Sequence, residues 1–269
     1  MSKKVWKNEK LVCYQDGKLQ YLQFKILLQY PEIVHAYTLR SGNELNFPPI
    51  IKDEKTLKES YHKICECLNL DERKVVKPYQ THTDIVKTVN IVEEFEEIDG
   101  LITDKKDLVL LTTSADCTSM LFYDTNKKIV GSVHSGWKGT LKGIAKNAVQ
   151  KMIEEYNSNP QDIICCICPH IRECCFEVDE DVKELFKNKY QSEMEISEII
   201  KQGEIKEGKQ KYYIDTTKIN KMLLKKEGLK AENIVDSDIC TVCNSEYFHS
   251  YRVDKENSGR NAALISIKL

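Results

Sequence analysis

The chain has 269 residues, 41% of them hydrophobic and 30% charged, which excludes a disordered polymer and leaves one large domain or two small ones. Its 40 basic and 42 acidic side chains give a formal charge of −2, without the basic excess of a general nucleic-acid binder. No run approaches the roughly 20 apolar residues of a membrane span.

The start, MSKKVWKNEKLV, carries no apolar stretch of signal-peptide length. The expected setting is therefore the cytoplasm, where thiols stay reduced. Eleven cysteines then read as small buried hydrophobes, metal ligands or a nucleophile, not as a disulfide framework.

Along the chain, Leu57, Tyr61, Ile64 and Leu68 recur at helical spacing. Leu108 to Thr113 is a short apolar run that predicts a strand. Met120 to Tyr123 and Ile129 to Val133 predict a hairpin across the polar turn Asp124-Thr125-Asn126-Lys127. A helix is expected from about residue 139, with Leu141, Ala145, Ala148, Val149, Met152 and Tyr156 on one face. The run Ile163 to Cys168 predicts a buried strand. Val182, Leu185 and Phe186 mark a helix after Asp179, and Ile219, Met222 and Leu223 another that Gly228 ends. The charged stretch from Ile196 to Gln210 reads as a surface excursion. Helices and strands mix without strict βαβ alternation, which predicts an α+β (mixed α/β) domain.

The segment from Thr112 to Gly143 carries the strongest chemical signal. One strand leads into Ser114-Ala115-Asp116-Cys117, and another into His134-Ser135-Gly136-Trp137. If these strands are neighbours, Cys117 and His134 meet at one edge of the sheet. The start of the following helix would favour an anion. His82 lies in the polar stretch Pro78-Tyr79-Gln80-Thr81-His82-Thr83-Asp84. One thiolate and two imidazoles suit a catalytic zinc with an open fourth position. They equally suit a cysteine hydrolase with Cys117 as nucleophile and a histidine as base. A packed cysteine beside a hydrogen-bonded histidine also fits the spacing.

QTHTDIV, DGLITD, TTSADC, VHSGWKGTLKGIAKNAV, CPHIRECCFEV, CTVCNSEYFHSYR and SGR follow one another in the chain. Together they resemble the laccase-domain family, also called multicopper polyphenol oxidases and described as zinc-dependent purine nucleoside phosphorylases with adenosine deaminase activity. The resemblance runs from about residue 35 to the end and implies a single mixed-sheet domain over 1–269. It implies a zinc site of His82, Cys117 and His134, with a substrate pocket beside it. Gln80, Asp99, Trp137, His170, Arg252 and Arg260 are the candidate substrate-binding residues, Asp116 joins the three ligands as a candidate catalytic residue, and Asp116 and Asp99 are the candidate acid/bases for deamination. The implied partners are a small nucleoside and phosphate, with neither nucleic acid nor membrane. The implied substrates are adenosine, inosine, guanosine and methylthioadenosine.

The chain departs from the family pattern at Lys138, Cys168, Phe176 and Val253, where the family carries arginine, glycine, tyrosine and arginine. The segment TLRSGNELNFPP is shorter than the family's loop, so no role passes to Arg40 or Asn46. Arginine is scarce, which draws attention to Arg252 and Arg260, since a guanidinium binds two phosphate oxygens at once.

Cys165, Cys166, Cys168, Cys174 and Cys175 read as core packing. Cys240 and Cys243 form a C-x-x-C whose partner pair, if it holds zinc, would be Cys165 and Cys168. Two other functions remain open: a cysteine hydrolase or amidase acting on cell-wall precursors, and a copper-dependent phenol oxidase.

Overall fold

The computed structural model describes residues 8–48 and 53–268; the rest of the 1–269 span lies outside the described residues. The chain begins with β1 (Leu11–Asp16), β2 (Leu19–Phe24) and β3 (Ile33–Thr38). Next come α1 (Glu54–Leu68), β4 (Val75–Val76), β5 (Val86–Thr88) and β6 (Gly100–Thr103). The middle holds β7 (Val109–Ser114), β8 (Thr118–Asp124), β9 (Ile129–Ser135), α2 (Trp137–Lys142), α3 (Ile144–Tyr156) and β10 (Ile163–Ile167). Then follow β11 (Glu177–Val178), α4 (Glu180–Tyr190), α5 (Ile196–Ile199), β12 (Ile200–Lys206) and β13 (Lys209–Ile214). The last are α6 (Thr216–Lys226), β14 (Ile234–Asp236), α7 (Tyr251–Asp254) and β15 (Asn261–Ile267).

Two six-stranded sheets form the centre, in the orders β1-β2-β3-β15-β7-β4 and β14-β10-β8-β9-β6-β5. A third sheet, β11-β13-β12, has three strands. Most pairs are antiparallel, but β4 with β7, β5 with β6 and β10 with β14 are parallel. This is the α+β fold class that the mixed pattern predicts.

The central strands are apolar on both faces because both faces are covered. Leu121 and Tyr123 of β8 pack toward the other large sheet, against residues such as Leu110 and Ala263. Met120 and Phe122, on the opposite face, pack against Ala145, Ala148 and Val149 of α3. A strand covered twice needs no polar alternation, and so it reads as a continuous hydrophobic run. The outer face of the first large sheet meets α1 through Val109, Leu111, Leu57 and Ile64. The layers are therefore α1, sheet, sheet, α3.

The expected hairpin forms as β8 and β9, with Thr118 opposite Ser135 and Ser119 opposite His134. The helix expected from residue 139 starts at Trp137 and breaks at Gly143, whose φ of +87° glycine adopts without strain. The stretch from Ile196 to Gln210 lies largely at the surface, as expected, but it is regular structure. It holds α5 and most of the β12–β13 hairpin. Glu207 and Gly208 both take positive φ at the turn, as a tight hairpin requires. Its strands are largely solvent-facing, so charge masked the pattern.

Candidate metal centre and its cavities

Register brings the first two residues together. Cys117 sits one residue before β8, and His134 is the penultimate residue of the neighbouring β9. His82 arrives from the loop between β4 and β5, with φ at +64°. The Cys117 Sγ and His82 Nε2 are 3.8 Å apart. One potential ligand atom from each of His82, Cys117 and His134 lies within 4.8 Å of the others, so the group can hold a metal ion. The two imidazoles meet edge to face, with centroids 5.1 Å apart.

Asp99 organises this arrangement from beneath. It is fully buried, and its carboxylate faces His134 Nδ1 at 2.7 Å. That leaves Nε2 of His134 free toward the thiol, the arrangement in which a buried carboxylate orients a metal-binding imidazole. The same carboxylate accepts from the N–H groups of Thr81, His82 and Thr83 and from the Thr83 hydroxyl. It thus fixes the loop that presents His82.

Burial opposes the Cys117 thiolate, but His134 and His82 outweigh it and hold the thiol below its ordinary value. Burial likewise opposes the His134 imidazolium, and the Cys117 thiolate and Asp99 outweigh it to raise that group. The metal-free site therefore favours a thiolate, which is the form that binds a metal and also the form that attacks as a nucleophile.

Asp116 is adjacent to Cys117, and its carboxylate is committed elsewhere. Oδ1 accepts from the Thr241 hydroxyl at 2.7 Å. Oδ2 accepts from the Ser250 hydroxyl at 3.0 Å and the Arg252 N–H at 2.6 Å. These bonds hold Asp116 at a φ of +83° and set the direction of the turn into Cys117.

Two cavities share the rim formed by His82, Ala115, Cys117 and Tyr251. The first has a volume of about 370 Å³, and Lys77, Gln80, Thr113 and Arg260 are among its walls. Burial, then the neighbouring Arg260, pushes the Lys77 ammonium down to about 8. The Gln80 amide is fixed by a reciprocal pair of 2.8 Å bonds with the Thr113 backbone. The Arg260 guanidinium is held by the carbonyls of Ser258 and Gly259. The second cavity has a volume of about 280 Å³, with Trp137, Ile171, Phe176 and Arg252 among its walls. The Arg252 guanidinium donates to the carbonyls of Cys175 and Glu177.

His170 lies elsewhere. It is fully buried, with Nδ1 on the Cys168 carbonyl and Nε2 on the Thr217 hydroxyl, and it lines neither cavity. It lies three residues beyond β10, in an isolated bridge with Cys240, where both ring nitrogens find internal partners. Sequence reasoning missed Lys77, Tyr79 and Tyr251 as cavity walls. Lys77 had a signal, since it directly precedes the Pro78-Tyr79-Gln80 stretch that leads to His82.

Cys165, Cys166 and Cys168 are buried as expected. Cys174 and Cys243 are exposed and Cys175 is partly exposed, so core packing does not describe them. The thiols beside Cys240 and Cys243 are those of Cys174 and Cys175, not of Cys165 and Cys168. Among the described residues, no helix is long and apolar enough to cross a membrane.

Residues 39–268 match the family model described as multi-copper polyphenol oxidoreductase laccase. A purine nucleoside phosphorylase of Clostridium acetobutylicum is 37% identical over 187 residues, covering 69% of this chain and 74% of that one. An adenosine deaminase from an unknown prokaryotic organism is 31% identical over 203 residues, covering 72% and 75%. The crystal structure of a Bacillus licheniformis hypothetical protein superposes with a TM-score of 0.85 at 29% identity, covering 95% of this chain and 99% of that one. With a match from residue 39 to residue 268, the chain belongs to the multi-copper polyphenol oxidoreductase laccase family.

Proposed function

We propose that the chain is a cytoplasmic zinc-dependent purine nucleoside phosphorylase with adenosine deaminase activity, forming one domain over 1–269. Its substrates would be adenosine, inosine, guanosine and methylthioadenosine. One observation carries the reading: three side chains able to hold a metal converge where a cationic cavity meets an aromatic one, His82 and Cys117 on their shared rim and His134 in the wall of the first. The relatives named as phosphorylase and deaminase support the same class of substrate.

The donor set fits zinc: one thiolate and two imidazoles leave an open position. Multicopper oxidation needs several histidine-rich centres. Here His35, His170 and His249 are buried with internal partners, and His62 pairs with Glu72 at the surface. Only His82 and His134 remain for a metal. A zinc ion at this site would supply Lewis-acid charge beside both cavities.

The chain's own residues would do the rest. Lys77 and Arg260 hold the phosphate by charge, and Arg260 offers paired donors. Trp137 and Phe176 take the flat face of the purine. Gln80, pinned to Thr113, shapes the wall of the cavity that holds the phosphate. A phosphate oxygen then bonds to the anomeric carbon as the glycosidic C–N bond breaks and the purine leaves with the electron pair. In deamination, water replaces the amine of adenosine, giving inosine and ammonia. Asp99 orients His134, and Asp116 positions Cys117.

A second reading rests on the line Cys117–His134–Asp99, which matches a cysteine nucleophile with an oriented base. His82→Gln separates the two. Under the zinc reading it removes the metal and both nucleoside activities together. Under the hydrolase reading Cys117 is still acylated or alkylated, and turnover persists without metal.

A further inference from the structure

A second sulfur-rich group lies outside the site described above. Cys174 and Cys175 lie on the loop after β10, and Cys240 and Cys243 on the turn after β14. One Sγ from each falls within 4.8 Å of the other three. The Cys174–Cys175, Cys174–Cys243 and Cys175–Cys243 sulfurs are 3.7, 3.8 and 3.4 Å apart. Four thiolates on a tetrahedral ion at about 2.3 Å each would be separated by about 3.8 Å. Hydrophobic packing does not account for the cluster, because two of its four side chains are exposed.

We propose that Cys174, Cys175, Cys240 and Cys243 bind one structural zinc ion, separate from the site of His82, Cys117 and His134. All four thiols release their protons on binding, and four sulfurs leave no open position. The ion ties together two loops that support the catalytic rim. From one loop, the Ile171 N–H donates to the Asp116 carbonyl at 2.8 Å, and Ile171 and Phe176 wall the aromatic cavity. From the other, Thr241 holds the Asp116 carboxylate. Arg252 bridges to the Cys175 carbonyl.

The test is zinc content in Cys117→Ser protein, which removes the other thiolate ligand and does not depend on any catalytic reading. About one zinc per chain should remain. Cobalt substitution should give the strong thiolate-to-metal charge-transfer absorption of a four-sulfur site. Adding Cys174→Ser and Cys243→Ser should abolish both signals. If that variant fails to fold, thiol titration of the Cys117→Ser chain serves instead: four thiols should react in step with release of one zinc and a drop in Tm. Loss of all zinc in Cys117→Ser protein would overturn the proposal. So would a Cys175–Cys243 disulfide in protein purified without reductant, or zinc content unchanged by the added substitutions.

Discussion

Gly136 leaves open the space that the His82 ring occupies. A Cβ at Gly136 would collide with Cδ2 of that ring, lying 3.3 Å from Nε2 and 3.4 Å from the Cys117 sulfur. The backbone of Gly136 is extended, at φ −66° and ψ 170°, and alanine adopts it without strain. Gly136→Ala should therefore move His82 while leaving the fold intact. Activity should fall roughly 100-fold, as misplaced catalytic groups commonly cause. Zinc content and the thermal transition, measured together, check this. A variant with normal metal and normal turnover would refute the close packing.

Asp99→Asn tests the link between a buried carboxylate and the metal. The substitution weakens the orientation of His134 and the grip on the 81–83 backbone. Affinity for zinc should fall on the order of 10- to 100-fold in competition with a chelator. Unchanged affinity would mean that Asp99 serves the loop alone.

The parts of this site that were legible in the sequence share one cause. Cys117 immediately precedes β8 and His134 is the penultimate residue of the paired β9, so the register of one short hairpin brings them together. His82 is 35 residues from Cys117, and its approach depends on Asp99 and Gly136, which no local period encodes. Arg252 and Arg260 do reach the cavities, but His170 does not, because the Cys168 carbonyl and the Thr217 hydroxyl hold its ring in the interior. The four-cysteine cluster joins loops nearly 70 residues apart, so C-x-x-C spacing alone selected the wrong partner pair. β15 escaped notice because two of its buried residues, Asn261 and Ser266, are polar and cut short the apolar run that marks a doubly covered strand.

Phosphate binding should weaken as Lys77 loses its proton. Its ammonium is held down to about 8 by burial and by Arg260, so the Lys77 charge is present below that pH and lost above it, while the Arg260 charge remains. KM for phosphate should rise above about pH 8, with a smaller change in kcat. Lys77→Met should raise KM at neutral pH and flatten the alkaline rise. An identical profile in the variant would remove Lys77 from the phosphate site.

Three buried histidines make the fold sensitive to acid. Burial pushes His35 down to about 3 and His249 down to about 4, and it lowers His170 as well. Their folded pKa values lie below the unfolded value of about 6.5, so the unfolded chain binds the extra protons. The stability they contribute is fully present above about pH 6.5 and is lost as pH falls toward 4 and below. Each site adds a slope of at most about 1.4 kcal/mol per pH unit. Urea midpoints of metal-free protein should drop between pH 7 and pH 5, and less so in His35→Gln. Equal midpoints at both pH values would contradict this.

The most direct test is to incubate zinc-loaded protein with adenosine and inorganic phosphate and follow the phosphorus NMR spectrum. The account predicts a ribose 1-phosphate resonance growing in step with free adenine, absent without phosphate and absent in Cys117→Ser protein. Neither free base nor inosine from metal-loaded protein, at any phosphate concentration, would contradict it.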